Sequence, residues 1–175
     1  VSSRRQRQMC IRDRGLIVLP LDTNAQAQDT GSRIKDPNVT NSNSSRKEVV
    51  YKKARALQTS TAKKIVKVVE ALERVDENGK EDPDFETVKE ILNELLQKKD
   101  NLRSYDRSVM WNYWGYVYFS EERFSDAMQA YRNLLAEPES TIPLRVASLY
   151  TLAQLNFVNE DYEEGVKVLL QWMDE

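Results

Sequence analysis

From Arg46 to the C-terminus, apolar residues recur at helical spacing, whereas the residues before it do not. Val49, Val50, Ala54 and Leu57 form a weak stripe. Ile65, Val68, Val69 and Leu72 form a strong one at i, i+3, i+4 and i+7, which predicts an amphipathic helix over 63–75. Asn78-Gly79 is expected to end it. Asp82 then reads as an N-cap with Pro83 at the first helical position. Phe85, Val88, Ile91, Leu92, Leu95 and Leu96 carry the next stripe, ending near Lys98-Lys99, where cations suit a helix C-terminus. A further helix is expected from Ser104 to Phe119. Ser120, followed by Glu121-Glu122, is expected to cap another over 121–136. Pro138 and Pro143 bracket a linker, and helices over 144–158 and 161–173 complete the pattern. No segment alternates with period two, so the predicted class is all-α.

Composition agrees with that pattern. The chain has 175 residues, 40% of them apolar, with only five Gly and five Pro, too few turn residues for a multi-stranded β fold. There is no His and one Cys, Cys10, which removes most of the side-chain vocabulary for metal sites, thiol nucleophiles and Ser-His-Asp triads. No catalytic residue, metal ligand or cofactor is assigned. Glu81, Asp82 and Asp84 lack the spacing of a calcium-binding loop and read as a solvated turn.

The polar N-terminal stretches carry other information. Residues 4–13 read RRQRQMCIRD, and this resembles the translation of a transposase-type sequencing adapter, so residues 1–14 are set aside from fold reasoning. Removing their five Arg and one Asp moves the net charge from −2 to −6 and takes away Cys10. The remaining acidic chain has no basic stripe, so nucleic acid is not an expected partner. Residues 15–27, GLIVLPLDTNAQA, place an apolar run before Ala25-Gln26-Ala27, the order of a signal-peptide core and cleavage site. They are read as a truncated export signal cleaved after Ala27, which implies a periplasmic protein; a cytoplasmic one is the alternative. The run is too short for a transmembrane helix. Residues 28–45 are Asn-, Ser- and Thr-rich and read as a disordered leader.

An internal repeat organises the rest. Trp111-x-x-Trp114-Gly115-x-x-Tyr118 is followed by Ala127, Tyr131 and Leu134. Leu149-x-x-Leu152-Ala153-x-x-Asn156 is followed by Gly165, Leu169 and Trp172. Gly115 and Ala153 are 38 residues apart. The starts of three helices also echo one another: Phe85-Glu-Thr-Val88, Phe124-Ser-Asp-Ala127 and Tyr162-Glu-Glu-Gly165. Small residues at Gly115, Ala127, Ala153 and Gly165 are expected where paired helices cross closely, with aromatics beside them.

On these residues the segment 104–174 resembles tetratricopeptide-repeat (TPR) proteins. More narrowly, it resembles exported TPR proteins that accompany a TonB-type uptake system in Gram-negative bacteria. The resemblance implies antiparallel helix-turn-helix units stacked as a TPR solenoid, with a degenerate unit in 46–103 and units at 104–141 and 142–175. The array is expected to continue past Glu175. It also implies a non-catalytic scaffold with a protein or peptide partner. The repeat-defining core is then Trp111, Trp114, Gly115, Tyr118, Ala127, Tyr131, Leu149, Leu152, Ala153, Gly165 and Leu169. By the same register Asn112, Tyr113, Tyr116, Phe119, Tyr150, Gln154 and Phe157 line a partner-binding groove. Tyr150 and Gln154 supply no cation for the carboxylate clamp of chaperone-binding TPR proteins, so that subclass is not expected. Self-association through an exposed C-terminal helix is expected as well. Alternatives are a TPR module of envelope or cell-wall assembly and the N-terminal repeats of a larger enzyme.

Overall fold

The computed structural model describes residues 56–175, so the adapter-like, signal-like and leader segments, and the first residues of the helical region, lie outside the described residues. The described part is all-helical. Its α-helices are α1 (Thr59–Leu72), α2 (Phe85–Gln97), α3 (Ser104–Ser120), α4 (Phe124–Leu135), α5 (Ile142–Val158) and α6 (Tyr162–Asp174), with a 3₁₀ turn at Lys99–Asn101. Each α-helix packs against the next, and α3 also touches α5. None is long and apolar enough to cross a membrane.

α3 and α5 are the inner helices, because side chains from all around them are buried. Asp106, Val109, Met110, Asn112, Tyr113, Trp114 and Val117 are buried on α3, and Leu144, Leu149, Thr151, Leu152, Leu155 and Asn156 on α5. α1, α2, α4 and α6 each bury one stripe and wet the other. Two apolar clusters result. The first joins Ile65 and Val68 of α1, Val88, Leu92 and Leu95 of α2, Tyr113, Trp114 and Val117 of α3, and Ala130 and Leu134 of α4. The second joins Ala127, Met128 and Tyr131 of α4, Leu149, Leu152 and Leu155 of α5, and Val168 of α6. α4 therefore faces both clusters, and each fully buried Ile, Leu or Val contributes about 1.5–3 kcal/mol.

The connections correct several sequence-based boundaries. α1 stops at Leu72 rather than Val75, and Asn78-Gly79 belongs to a separate turn. There Asp76 Oδ1 accepts from the Asn78 and Lys80 N–H groups, Gly79 takes φ 77°, and Val75 and Glu81 form a single antiparallel bridge. The cap of α2 is Asp84, not Asp82. Its carboxylate accepts from Thr87 N–H at 3.0 Å and Thr87 Oγ1 at 2.9 Å. These bonds hold the Asp84 carboxyl below its ordinary range. Ser120 is the last residue of α3 and its hydroxyl donates back to the Tyr116 carbonyl, so it caps nothing. α4 starts three residues later than expected, because Glu122 adopts φ 61° and ends the run of helical backbone.

That turn recurs. Glu122 N–H donates to Phe119 C=O and Arg123 N–H to Tyr118 C=O, the paired bonds of a Schellman motif. Thirty-eight residues on, Glu160 has φ 66°, its N–H donates to Phe157 C=O, and Asp161 N–H donates to Asn156 C=O. The residues that open α2, α4 and α6 share one backbone shape: Asp84 at φ −86°, ψ 78°, Arg123 at −87°, 65° and Asp161 at −88°, 73°. Three helix starts of one design thus follow α1, α3 and α5.

Candidate partner-binding surface

At two helix pairs a glycine makes room for a ring of the neighbouring helix. A Cβ on Gly115 of α3 would lie 2.6 Å from Tyr131 Cζ and 2.7 Å from Cε1, so the Tyr131 ring of α4 occupies the space of the missing methyl. Burial pushes the Tyr131 phenol far above its ordinary range. A Cβ on Gly165 of α6 would lie 2.7 Å from Phe157 Cε1 of α5. At both glycines the nearest side chain of the neighbouring helix is therefore an aromatic ring, Tyr131 and Phe157. Thirty-eight residues after Gly115 and Tyr131 stand Ala153 and Leu169, a larger residue with a smaller partner. Asn156, where the repeat pattern wants an aromatic, is buried and donates from Nδ2 to Leu152 C=O at 2.8 Å, while the adjacent Phe157 supplies the ring. Of the expected core, Trp114, Gly115, Ala127, Tyr131, Leu149, Leu152, Ala153 and Gly165 are buried, while Trp111, Tyr118 and Leu169 are half-buried. Tyr118 is sandwiched between Trp114, 5.0 Å away, and the Arg123 guanidinium at 4.5 Å.

The seven expected groove residues separate into three groups. Tyr113 and Asn112 do not line an open groove: Tyr113 is 2% exposed within the first apolar cluster and Asn112 is 7% exposed. They are buried because α3 has neighbours on several sides, in α2, α4 and α5. Tyr116, Phe119 and Phe157 are half-buried and engaged with other helices. Tyr116 meets Phe85 of α2 at 6.3 Å, Phe119 meets Phe124 of α4 at 5.9 Å, and Phe157 covers Gly165. Tyr150 is the one expected groove residue that is exposed, and Gln154, also on α5, is half-buried. Tyr150 is 43% exposed, Ala147 one turn before it is exposed, and Gln154 one turn after it is half-buried. Tyr150 also meets Trp172 of α6 at 5.6 Å. The accessible face is therefore Ala147, Tyr150 and Gln154, flanked by Trp172 of α6, which the sequence-based groove did not include.

An ion pair ties each inner helix to the residues that follow its outer partner. Arg107 of α3 makes two 2.7 Å bonds to the Glu137 carboxylate and donates from Nη1 to Leu102 C=O at 2.7 Å. Arg145 of α5 pairs with Glu175 and donates from Nη1 to Leu135 C=O at 3.0 Å. Both members of this pair recur at 38 residues, and each Arg pKa is raised first by hydrogen bonding to its carboxylate. The recurrence Arg107/Arg145 and Glu137/Glu175 is present in the sequence at the same offset as Gly115/Ala153. No group of His, Cys, Asp or Glu able to hold a metal ion is found among the described residues. Comparison with protein families, with characterised proteins and with solved structures finds no match.

Proposed function

We propose that this chain is a non-catalytic interaction scaffold of the tetratricopeptide-repeat kind, binding a protein or peptide partner on the exposed face of α5. The observation that carries this reading is the recurrence, at 38 residues, of one helix-hairpin design, whose second copy presents a solvent-facing aromatic, Tyr150, on its inner helix. The turn, the helix start and the Arg–Glu pair all repeat. Repeated hairpins present rigid, additive surfaces, and an aromatic with 43% of its area in water is a suitable anchor for a partner. Tyr150 supplies apolar area and a hydroxyl, and Gln154 one turn on offers an amide donor and acceptor to a peptide backbone.

The narrower proposal, an exported accessory of a TonB-type uptake system, rests on the resemblance of 104–174 and on the signal-like order of 15–27. The test is affinity capture from a periplasmic extract with the wild-type chain and with Tyr150→Ala. Capture of an envelope partner that Tyr150→Ala depletes supports the reading; recovery of cytosolic proteins alone contradicts export. Tyr116→Ala and Phe119→Ala are poorer probes, since both rings also pack between helices.

A further inference from the structure

The turn between α1 and α2 holds Asn78-Gly79, and Asn78 is the one asparagine among the described residues that is followed by glycine. Asn78 and Gly79 are both exposed, and a Cβ on Gly79 would meet nothing within 4 Å, so water and hydroxide reach the Gly79 nitrogen unhindered. The other described asparagines lack this combination. Asn93, Asn112, Asn133 and Asn156 lie inside α-helices, and Asn101 and Asn159 precede Leu102 and Glu160. The turn also restrains the pair. Gly79 N–H donates to Asp76 C=O at 3.0 Å, and Asp76 Oδ1 accepts from Asn78 N–H at 2.8 Å and Lys80 N–H at 2.9 Å. Asp76 N–H in turn donates to Lys80 C=O at 2.8 Å.

We propose that Asn78 is a site of spontaneous deamidation, with water as the co-reactant, and that the bonds to Asp76 set its rate. The Gly79 nitrogen gives its proton to hydroxide and attacks Asn78 Cγ. The N–Cγ bond forms, the Cγ–Nδ2 bond breaks, and Nδ2 takes up a proton and leaves as ammonia, closing a cyclic imide. Water then splits one of the two imide C–N bonds, and the Gly79 nitrogen recovers its proton. Cleavage at Cγ leaves aspartate at position 78. Cleavage at the main-chain carbonyl carbon leaves isoaspartate, whose backbone is one carbon longer. Attack needs the Gly79 nitrogen to turn toward the side chain before it, and its bond to the Asp76 carbonyl opposes that turn. Local opening of the turn therefore precedes the reaction. Isoaspartate lengthens the chain between Asp76 and Lys80, the residues whose backbones pair across the turn, and either product adds a carboxylate beside Asp76 and Glu77. The α1–α2 connection, which also holds Asp82 N–H on Arg74 C=O at 2.9 Å, loosens as a result.

The full chain, its Asp76→Ala variant and a free peptide of residues 73–83 are incubated side by side in mildly alkaline buffer. Proteolytic fragments are read by mass spectrometry for the gain that marks amide-to-acid conversion, and isoaspartate is separated by chromatography against fragments of an Asn78→Asp chain. In the full chain, Asn78 should convert ahead of every other asparagine of residues 56–175. Its rate should be about a tenth of that in the peptide, and about tenfold higher in Asp76→Ala, which loses two backbone hydrogen bonds. Circular dichroism should show the same helix content for both chains, since Asp76 lies outside the helices. In the isoaspartyl fraction, hydrogen exchange should show the Lys80 and Asp82 amides losing protection. An unconverted Asn78 in the chain after the peptide has fully reacted, or earlier conversion of another described asparagine, overturns the site. Equal rates in the wild type, in Asp76→Ala and in the peptide overturn the control by Asp76.

Discussion

Gly115→Ala is the most informative change in this fold. The added methyl would sit 2.6 Å from Tyr131 Cζ, well inside van der Waals contact. Tyr131 is 1% exposed, so its ring has no solvent to swing into. Overpacking of this kind costs about 1–3 kcal/mol. Removing a mid-helix glycine returns about 0.8–1 kcal/mol of helix propensity, leaving a net loss of up to about 2 kcal/mol. Tyr131→Leu alone opens a void beside Gly115 and should cost about 1–3 kcal/mol. The double variant recreates the combination found 38 residues later, Ala153 with Leu169, in which the methyl fills part of the space of the lost ring. It should be more stable than the sum of the single variants by about 1–2 kcal/mol. Urea unfolding followed by circular dichroism and by tryptophan fluorescence measures all four proteins. A stabilising Gly115→Ala, or additivity within about 0.5 kcal/mol, would refute the glycine–ring interlock.

Gly165→Ala should be better tolerated than Gly115→Ala, because the ring in its way, Phe157, is half-buried and can turn toward solvent; the same urea titration compares them. Asp84→Ala should lower the urea midpoint through loss of the α2 cap. The Asp84 carboxyl is held below its ordinary value of 3.8, so its contribution is complete above that value and disappears as pH falls through the lower folded-state value. The gap between wild type and Asp84→Ala should therefore narrow below roughly pH 4. Arg107→Ala should cost about 1 kcal/mol by denaturant unfolding, since its bidentate partner Glu137 is only 12% exposed but Arg107 itself is partly wet.

Among the described residues the outer helices were legible from period, because each buries one stripe, as the run Ile65, Val68, Val69, Leu72 shows, whereas α3 and α5, buried on all sides, were placed by the polar residues and prolines that flank them. Boundaries were less so. Ser120 and Asp82 are both good capping residues by type, yet the caps and turns are decided by which backbone can pair. Glu122 and Glu160 take positive φ without the glycine that would announce it. The candidate surface was legible in part. Repeat register found Tyr150 and Gln154, but could not see that α3, flanked by α2, α4 and α5, buries Tyr113 and Asn112. Register left Trp172 out of the groove, because its place beside Tyr150 depends on how α6 folds back on α5. The Arg107–Glu137 and Arg145–Glu175 pairs could have been found by applying the 38-residue offset to charged positions as well as to small and aromatic ones.

Quantitative affinity capture by the wild-type chain and by Tyr150→Ala, scored by mass spectrometry after both proteins are shown to have the same helix content, tests the scaffold reading most directly. The account predicts at least one protein partner retained by the wild type and depleted about tenfold, some 1.4 kcal/mol, by loss of the Tyr150 ring. An identical set of proteins in identical amounts on both would contradict it.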